Sequence, residues 1–434
     1  MKLNSLHLEN FRIFDQATVQ FHPEVTVAVG SNGSGKTALL RAAAIAAGVI
    51  EYSLNPGPNK GIESSDLRTV NYQSGAAIGT EIKLPCIVQA DGTVEDLPVS
   101  WEISQSSVKG RTRFGQAADL IKISKTYDKR LQNGDNSLIL PLVSFYGAGR
   151  IWARHKTKRN DVFGVSSRRN GYIDSLDSAA NDKLMMEWFK RMRLKELQSD
   201  VQIPALRVVL NAMAKLYSQL SKTEVSKIEY NFDTNGLDVY ADYHGKTKII
   251  PSSQWSAGYK SPMFLVADIG YRMAILNPQL ESDVLKKTPG IVIIDEIENH
   301  IHPAWQQKII ELLQKLFPKI QWIISTHAPA IIQSVGKENI ILLDAGKVFN
   351  SSIQTFGKDA NTILTDLMGT SSRPDQIQQM FTDFYESMDN EDYQKAEVTL
   401  DHLSSIIGED DPDIQRHKNI LSFEKDWEDL NDPH

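Results

Sequence analysis

This 434-residue chain has a single cysteine, Cys86. That excludes a disulfide within the chain and the paired-cysteine frameworks of zinc sites. It suits a reducing cytosol, and we expect a cytoplasmic protein. Long apolar runs are also lacking. None approaches the ~20 residues that a membrane-spanning helix needs. The opening residues, Met1-Lys2-Leu3-Asn4-Ser5-Leu6-His7-Leu8, alternate like a strand and lack the apolar centre of a signal peptide. Positive charge is not in excess either. The formal net charge is -7, so nucleic-acid binding would need a local patch rather than a global field. Sustained heptads are missing, which excludes a long coiled coil from the interior. What remains is ordinary globular composition, long enough for a large core and two or three subdomains.

Within it stands Gly30-Ser31-Asn32-Gly33-Ser34-Gly35-Lys36-Thr37, which fits G-x-x-x-x-G-K-[ST] at every fixed position. The β-branched run Val25-Thr26-Val27-Ala28-Val29 precedes it, and the helix former Ala38-Leu39-Leu40-Arg41-Ala42-Ala43-Ala44 follows. A strand, a glycine-rich turn and a helix N-terminus make a phosphate cradle. The glycines permit backbone angles that turn successive N–H groups toward a phosphate. Lys36 can reach the β- and γ-phosphates, and the Thr37 hydroxyl can hold Mg²⁺. ATP and Mg²⁺ are the expected ligands.

Elsewhere, Leu3 to Leu8 and Ala17 to Phe21 read as strands, with Arg12 between them. Asn55 to Gln73, rich in Gly, Pro, Asn and Ser, reads as a loop. Ile78 to Gln89 and Leu97 to Ile103 read as paired strands around a turn at Asp91-Gly92. Leu138 to Tyr146 is a further β-rich run. The one dense basic stretch is Arg150-Ile151-Trp152-Ala153-Arg154-His155-Lys156-Thr157-Lys158-Arg159, with Arg168-Arg169 beyond it. It is either a phosphate-contacting surface or a solvated loop beside acidic neighbours. Leu176 to about Leu220 has helical periodicity, with Leu184, Trp188, Met192, Leu194 and Leu197 at near-helical spacing. Three short strands follow, Lys227 to Phe232, Gly236 to Tyr240 and Lys246 to Ile250, with a turn at Asp242-Tyr243-His244-Gly245.

Three more motifs come in order. Gln254-Trp255-Ser256-Ala257-Gly258-Tyr259 leads into a helix, where Ser256 and the Gly258 amide offer a second anion site. Ile291-Val292-Ile293-Ile294-Asp295-Glu296 is a buried strand ending in two carboxylates. Asp295 there can hold the water shell of Mg²⁺, and Glu296 can orient or deprotonate an attacking water. Trp322-Ile323-Ile324-Ser325-Thr326-His327 is another apolar strand, and its terminal histidine can sense a γ-phosphate.

The order of phosphate loop, signature, carboxylate strand and histidine strand resembles the ABC-type ATPase head shared by RecF and SMC proteins. The resemblance implies an α/β head with an antiparallel β subdomain. It implies catalytic roles for Lys36, Glu296 and His327, and metal binding by Thr37 and Asp295. Arg12, after the first strand, matches an arginine that approaches the nucleotide in that family, although a surface charge reads equally well. Ser256 and Gly258 would act across a dimer with ATP between two heads. The usual Leu-Ser-Gly-Gly is here Trp255-Ser256-Ala257-Gly258, and the family's glutamine loop has no clear counterpart. A closer resemblance, carried by Asn10-Phe11-Arg12, Tyr146 to Arg150, Ile294 to Gln306 and Leu367-Met368-Gly369-Thr370, is to stand-alone bacterial ATPases. These include the PtuA subunit of Septu anti-phage systems and retron-linked ATPases. Such proteins act beside a separate HNH nuclease, PtuB in Septu, or a retron reverse transcriptase with its nucleic acid. Asn299, His300 and His302 share letters with an HNH motif, but the family puts a dimer-contact loop there, so a nuclease site in this chain is rejected.

We therefore expect an ABC-type head over residues 1–372, with a helical insert at about 174–225, and an acidic helical extension over 373–434. Its helices are Ile377 to Met388, Tyr393 to Ile407 and Asp413 to Asp426, and its charges are either solvated faces or a docking site. The expected function is an ATP-driven switch that forms a homodimer or higher oligomer and controls a nuclease on another chain. The alternative is a RecF-like repair ATPase acting directly on DNA.

Overall fold

A computed structural model describes residues 1–58, 60–74, 77–149, 167–178, 182–371 and 373–431. The chain divides into two compact units, Met1–Ala360 and Asn361–His434. The whole basic stretch from Arg150 to Arg159 lies outside the described residues.

The first unit is built on β3 (Val25–Val29), β8 (Leu142–Tyr146), β12 (Gly290–Ile294), β13 (Ile320–Thr326), β14 (Ile340–Asp344) and β15 (Lys347–Asn350). These form one sheet in the order β15-β14-β3-β13-β12-β8, parallel except for β15. Every residue of β3, β8, β12 and β13 is buried, the few polar ones among them included, as expected of the mainly apolar strands of a parallel sheet. The register sets Ile294 beside both Tyr146 and Ile324, and Thr326 beside Val29. The residues that follow, Gly30, Asp295 and His327, therefore leave the sheet along one edge, where an open α/β sheet binds ligands.

Over this sheet lies α1 (Lys36–Ala47), which also touches a second, antiparallel sheet. That sheet has the order β2-β1-β6-β7 and contains β1 (Lys2–Phe11), β2 (Phe14–Gln20), β6 (Cys86–Val94) and β7 (Leu97–Gln105). Its run of small alanines lets α1 be buried along nearly its whole length between the two sheets. Gln321, fully buried, binds the N–H of Leu3 at 2.8 Å and the carbonyls of Leu3 and His22 at 2.8 and 3.0 Å.

Two local expectations fail here. Asp91-Gly92 is not a turn but lies within β6, where Gly92 passes so close to the Lys2 carbonyl that a side chain would not fit. The turn is Glu95-Asp96, both left-handed at φ 49° and 65°, a pair of angles normally served by Asn-Gly. The expected loop from Asn55 to Gln73 ends in a strand, β4 (Thr69–Ser74), paired with β5 (Ala77–Ile82). The β-formers Thr69, Val70 and Tyr72 prevail there over the Gly- and Pro-rich sequence before them.

After α2 (Ala118–Gln132), which packs on β7, the expected helical insert is two helices, α3 (Asp182–Ser199) and α4 (Pro204–Ser221), with Pro204 starting the second. Trp188 and Met185 are buried as core residues, whereas Leu194 and Leu197 are exposed. Next comes a three-stranded sheet, β9 (Val225–Asn231), β10 (Gly236–Tyr243) and β11 (Lys246–Pro251), with its turn at His244-Gly245. The signature segment opens α5 (Ala257–Leu276), and α6 (Pro303–Leu316) links the carboxylate strand to β13.

The second unit contains α7 (Asp375–Asp389), α8 (Tyr393–Ile407) and α9 (Pro412–Asn431) around Phe381, Phe384, Ala396, Leu400, Leu403, Ile414 and Leu421. No helix among the described residues is long and apolar enough to cross a membrane.

Candidate active site

The phosphate loop joins β3 to α1. A Cβ at Gly30 would lie 2.3 Å from the Leu343 carbonyl, so no side chain fits there. Gly35 adopts φ +113° and packs on Ile13 and Phe14, where a Cβ would meet the Phe14 ring at 2.9 Å. These two positions need glycine for space and for backbone angle. Lys36 donates from Nζ to the carbonyls of Gly30 at 2.7 Å and Ser31 at 3.0 Å, folding across its own loop. Burial pulls its pKa down, against the opposing pull of Asp295, Glu296 and Glu298.

Asp295 ties the loop to the sheet. Its Oδ2 accepts from the Thr37 hydroxyl at 2.8 Å, and its Oδ1 accepts from the Ser325 hydroxyl at 2.5 Å. Ser325 in turn accepts from the backbone N–H of Glu296 at 2.8 Å. Glu296 stands in the left-handed region at φ 48°, a conformation that costs a bulky residue about 1–2 kcal/mol. Its Oε2 accepts from Asn299 Nδ2 at 2.8 Å, and Asn299 also donates to the Ala148 carbonyl at 3.2 Å. Glu298 accepts from the backbone N–H of His327 at 2.8 Å and stands 3.1 Å from its Nδ1. Thus Lys36, Thr37, Asp295, Glu296 and His327, far apart in sequence, form one cluster beside the loop.

The other expected site residues sit differently. Arg12 is left-handed at φ 50°, in the turn whose Ile13 and Phe14 pack on Gly35. Its guanidinium binds buried Asp66 at 2.7 and 2.8 Å. Ser256 is the N-cap of α5, but its hydroxyl makes no capping bond to that helix. Gly258 packs on the His300 carbonyl and Trp305, and Ser261 donates to the Asn299 carbonyl at 3.2 Å. The signature is thus mounted on the loop that follows Glu296. In that loop His302 caps α6 through Nδ1, which accepts from the Ala304 N–H at 3.2 Å. Arg168 and Arg169 are structural ties, Arg168 to the Leu276 carbonyl at 2.6 Å and Arg169 to Asp128 at 2.7 Å.

Ser325, Glu298 and Asn299 carry much of this geometry, and motif reading gave them no role beside the phosphate loop. For Ser325 the one signal was a hydroxyl closing an otherwise apolar run. The donors suit Mg²⁺, a hard cation that takes a carboxylate and a hydroxyl and keeps water and phosphate oxygens. The loop suits a phosphate, with the Ser34 hydroxyl buried and unpartnered among the described residues.

A family model described as an AAA domain matches residues 5–225, half of the chain, and one described as an AAA ATPase domain matches residues 156–332. The chain belongs to the AAA domain family. This AAA-domain protein is an ATPase with an α/β head. Among its relatives is the retron Ec83 probable ATPase of Escherichia coli, 26% identical over 500 residues that cover 99% of this chain and 88% of the relative. The Septu protein PtuA of Bacillus thuringiensis is 29% identical over 153 residues, 32% of this chain and 38% of that protein. Among solved structures, an SMC head bound to the C-winged helix domain of ScpA aligns with a TM-score of 0.47 at 15% identity, over 81% of this chain and 97% of that one.

Proposed function

We propose that this ATPase is the cytoplasmic switch subunit of a bacterial anti-phage defence system. ATP draws two or more heads together, and head closure controls an HNH-type nuclease on a separate chain, PtuB-like or retron-linked. The observation that carries the reading is the division of the site. The loop, carboxylates and histidine converge around Asp295, while Ser256 and Gly258 are mounted on the loop after Glu296, with the Ser256 hydroxyl uncommitted to its own helix. Likeness to retron and Septu proteins supports the defence role.

In this mechanism the N–H groups of Gly30 to Thr37 and the Lys36 ammonium bind the β- and γ-phosphates of the substrate. Lys36 gives up its bonds to the Gly30 and Ser31 carbonyls to do so. Thr37 and Asp295 would hold Mg²⁺, which when bound neutralises charge on the phosphate oxygens. Glu296, oriented by Asn299, takes the proton of the attacking water. His327 binds the γ-phosphate. Arg12, held by Asp66 in the turn packed on Gly35, lends positive charge beside the loop. Ser256 and Gly258 close on the site from another copy.

Glu296→Gln keeps the Asn299 contact but removes the base. It is expected to bind ATP with Mg²⁺ normally while hydrolysis slows by at least about a hundredfold, measured by calorimetry and phosphate release. Turnover at the wild-type rate would remove Glu296 from this role. The basic stretch Arg150 to Arg159 favours a second reading, in which the chain acts directly on DNA as RecF-like repair ATPases do. Strong DNA stimulation of ATPase in the isolated protein would select it.

A further inference from the structure

Glu298 is 7% exposed and lies two residues beyond Glu296, the carboxylate to which the mechanism gives a base's role. Its Oε1 serves His327 twice, accepting from the backbone N–H at 2.8 Å and standing 3.1 Å from Nδ1. Its Oε2 is buried and has no hydrogen-bond partner among the described residues. A buried unpartnered carboxylate oxygen costs about 1–3 kcal/mol or more. A residue kept only for packing would not carry that cost. Lys36 from α1 and Asp295 and Glu296 from the turn after β12 are the other charged groups at this edge, and the carboxylates all act on Lys36. The Nδ1 of His327 is the ring atom that Glu298 engages, and 47% of the His327 side chain stays exposed.

An ionised carboxylate only accepts hydrogen bonds, so the proton of this pair belongs on Nδ1. A neutral ring then has a bare lone pair at Nε2, which repels a phosphate oxygen. A donor at Nε2 requires the imidazolium, so the ring can meet a phosphate oxygen only with a proton on each nitrogen. We propose that Glu298 is the positioning residue of His327: it fixes the ring and keeps Nδ1 protonated, so that the ring meets the γ-phosphate as a two-donor cation. The proposal rests on the reading that His327 binds the γ-phosphate. It assigns Glu298 no contact with substrate or metal. A carboxylate, an imidazolium and a phosphate oxygen would then stand in line, each charge opposed to the next.

The test is a double-mutant cycle on the full chain with Glu298→Gln and His327→Ala. Glu298→Gln should lower kcat roughly tenfold, in the range for removal of a residue that orients a ligand, with KM for ATP changed less than about twofold. In the His327→Ala background the same substitution should change kcat by less than about twofold. An equal loss in both backgrounds, or an effect confined to KM, would overturn the assignment. Wild-type turnover by His327→Ala alone would instead overturn the reading of His327. Should Glu298→Gln fail to fold, the native protein decides by nitrogen NMR of the His327 ring. A protonated Nδ1 is expected, and a bare Nδ1 facing Glu298 would refute the proposal.

Discussion

Glu51 is a carboxyl group buried inside the first unit. It is 1% exposed, accepts from the Ser175 hydroxyl at 2.9 and 3.1 Å and from Asn55 Nδ2 at 2.9 Å, and burial pushes its pKa up to about 8. In the folded chain it therefore keeps its proton well above the pH at which the unfolded chain has lost it. The stability that follows is whole below the ordinary carboxylate range and is lost as pH rises toward about 8. The slope approaches about 1.4 kcal/mol per pH unit in that window. Chemical denaturation from pH 5 to 8 should show that decline, and Glu51→Gln should flatten it. A decline of equal slope in the variant would place its source elsewhere. At this scale the phosphate-loop, carboxylate and histidine residues were legible, because each sits in a contiguous motif. Ser325 and Glu298 were not, because their partners, Asp295 and His327, each lie about thirty residues away along the chain and meet them only when β12 and β13 pair.

The element that ties the signature segment to the sheet is α5. It starts at the signature and is buried along most of its length, with an ion pair inside it. Arg272 donates to Asp268 at 2.7 Å and to the carbonyls of Gly171 at 3.0 Å and Ile173 at 2.8 Å. The Tyr146 hydroxyl donates to Asp268 at 2.6 Å, and the Tyr146 carbonyl accepts from the Asp295 N–H at 2.8 Å. The signature helix is thus bonded to the strand beside Asp295. Arg272→Leu strands a buried charge and should cost about 3–5 kcal/mol, whereas pairing it with Asp268→Leu should recover much of that loss. Thermal unfolding of both variants measures this, and a single mutant as stable as wild type would mean that the pair is not buried as described. The helix itself was legible from its apolar run, and so were the helices of the second unit, although the third runs on to Asn431 rather than ending at Asp426. The Asp91-Gly92 dipeptide misled because turn chemistry is only a local preference. In β6 the side chain of Asp91 accepts from the hydroxyls of Ser5 and Ser100, each at 2.6 Å, which fits it to a strand.

Across the molecule, charge divides as the fold does. The second unit holds eighteen acidic and five basic side chains, so the head alone is net positive although the chain is net negative. An acidic balance for the whole chain therefore says little about the surface of the head. The central claim is that a working ATP site takes its phosphate loop from one copy and its signature from another. Lys36→Ala chain supplies an intact signature, and Ser256→Arg chain an intact loop. Each alone should be inactive. The decisive measurement is ATPase activity after mixing them in equal amounts, with mixed dimers verified by native mass spectrometry. One restored site per mixed dimer predicts recovery to about a quarter of the wild-type rate, since half of the dimers formed at random are mixed. Mixed dimers with no recovered turnover would contradict the account and put the whole site within one chain.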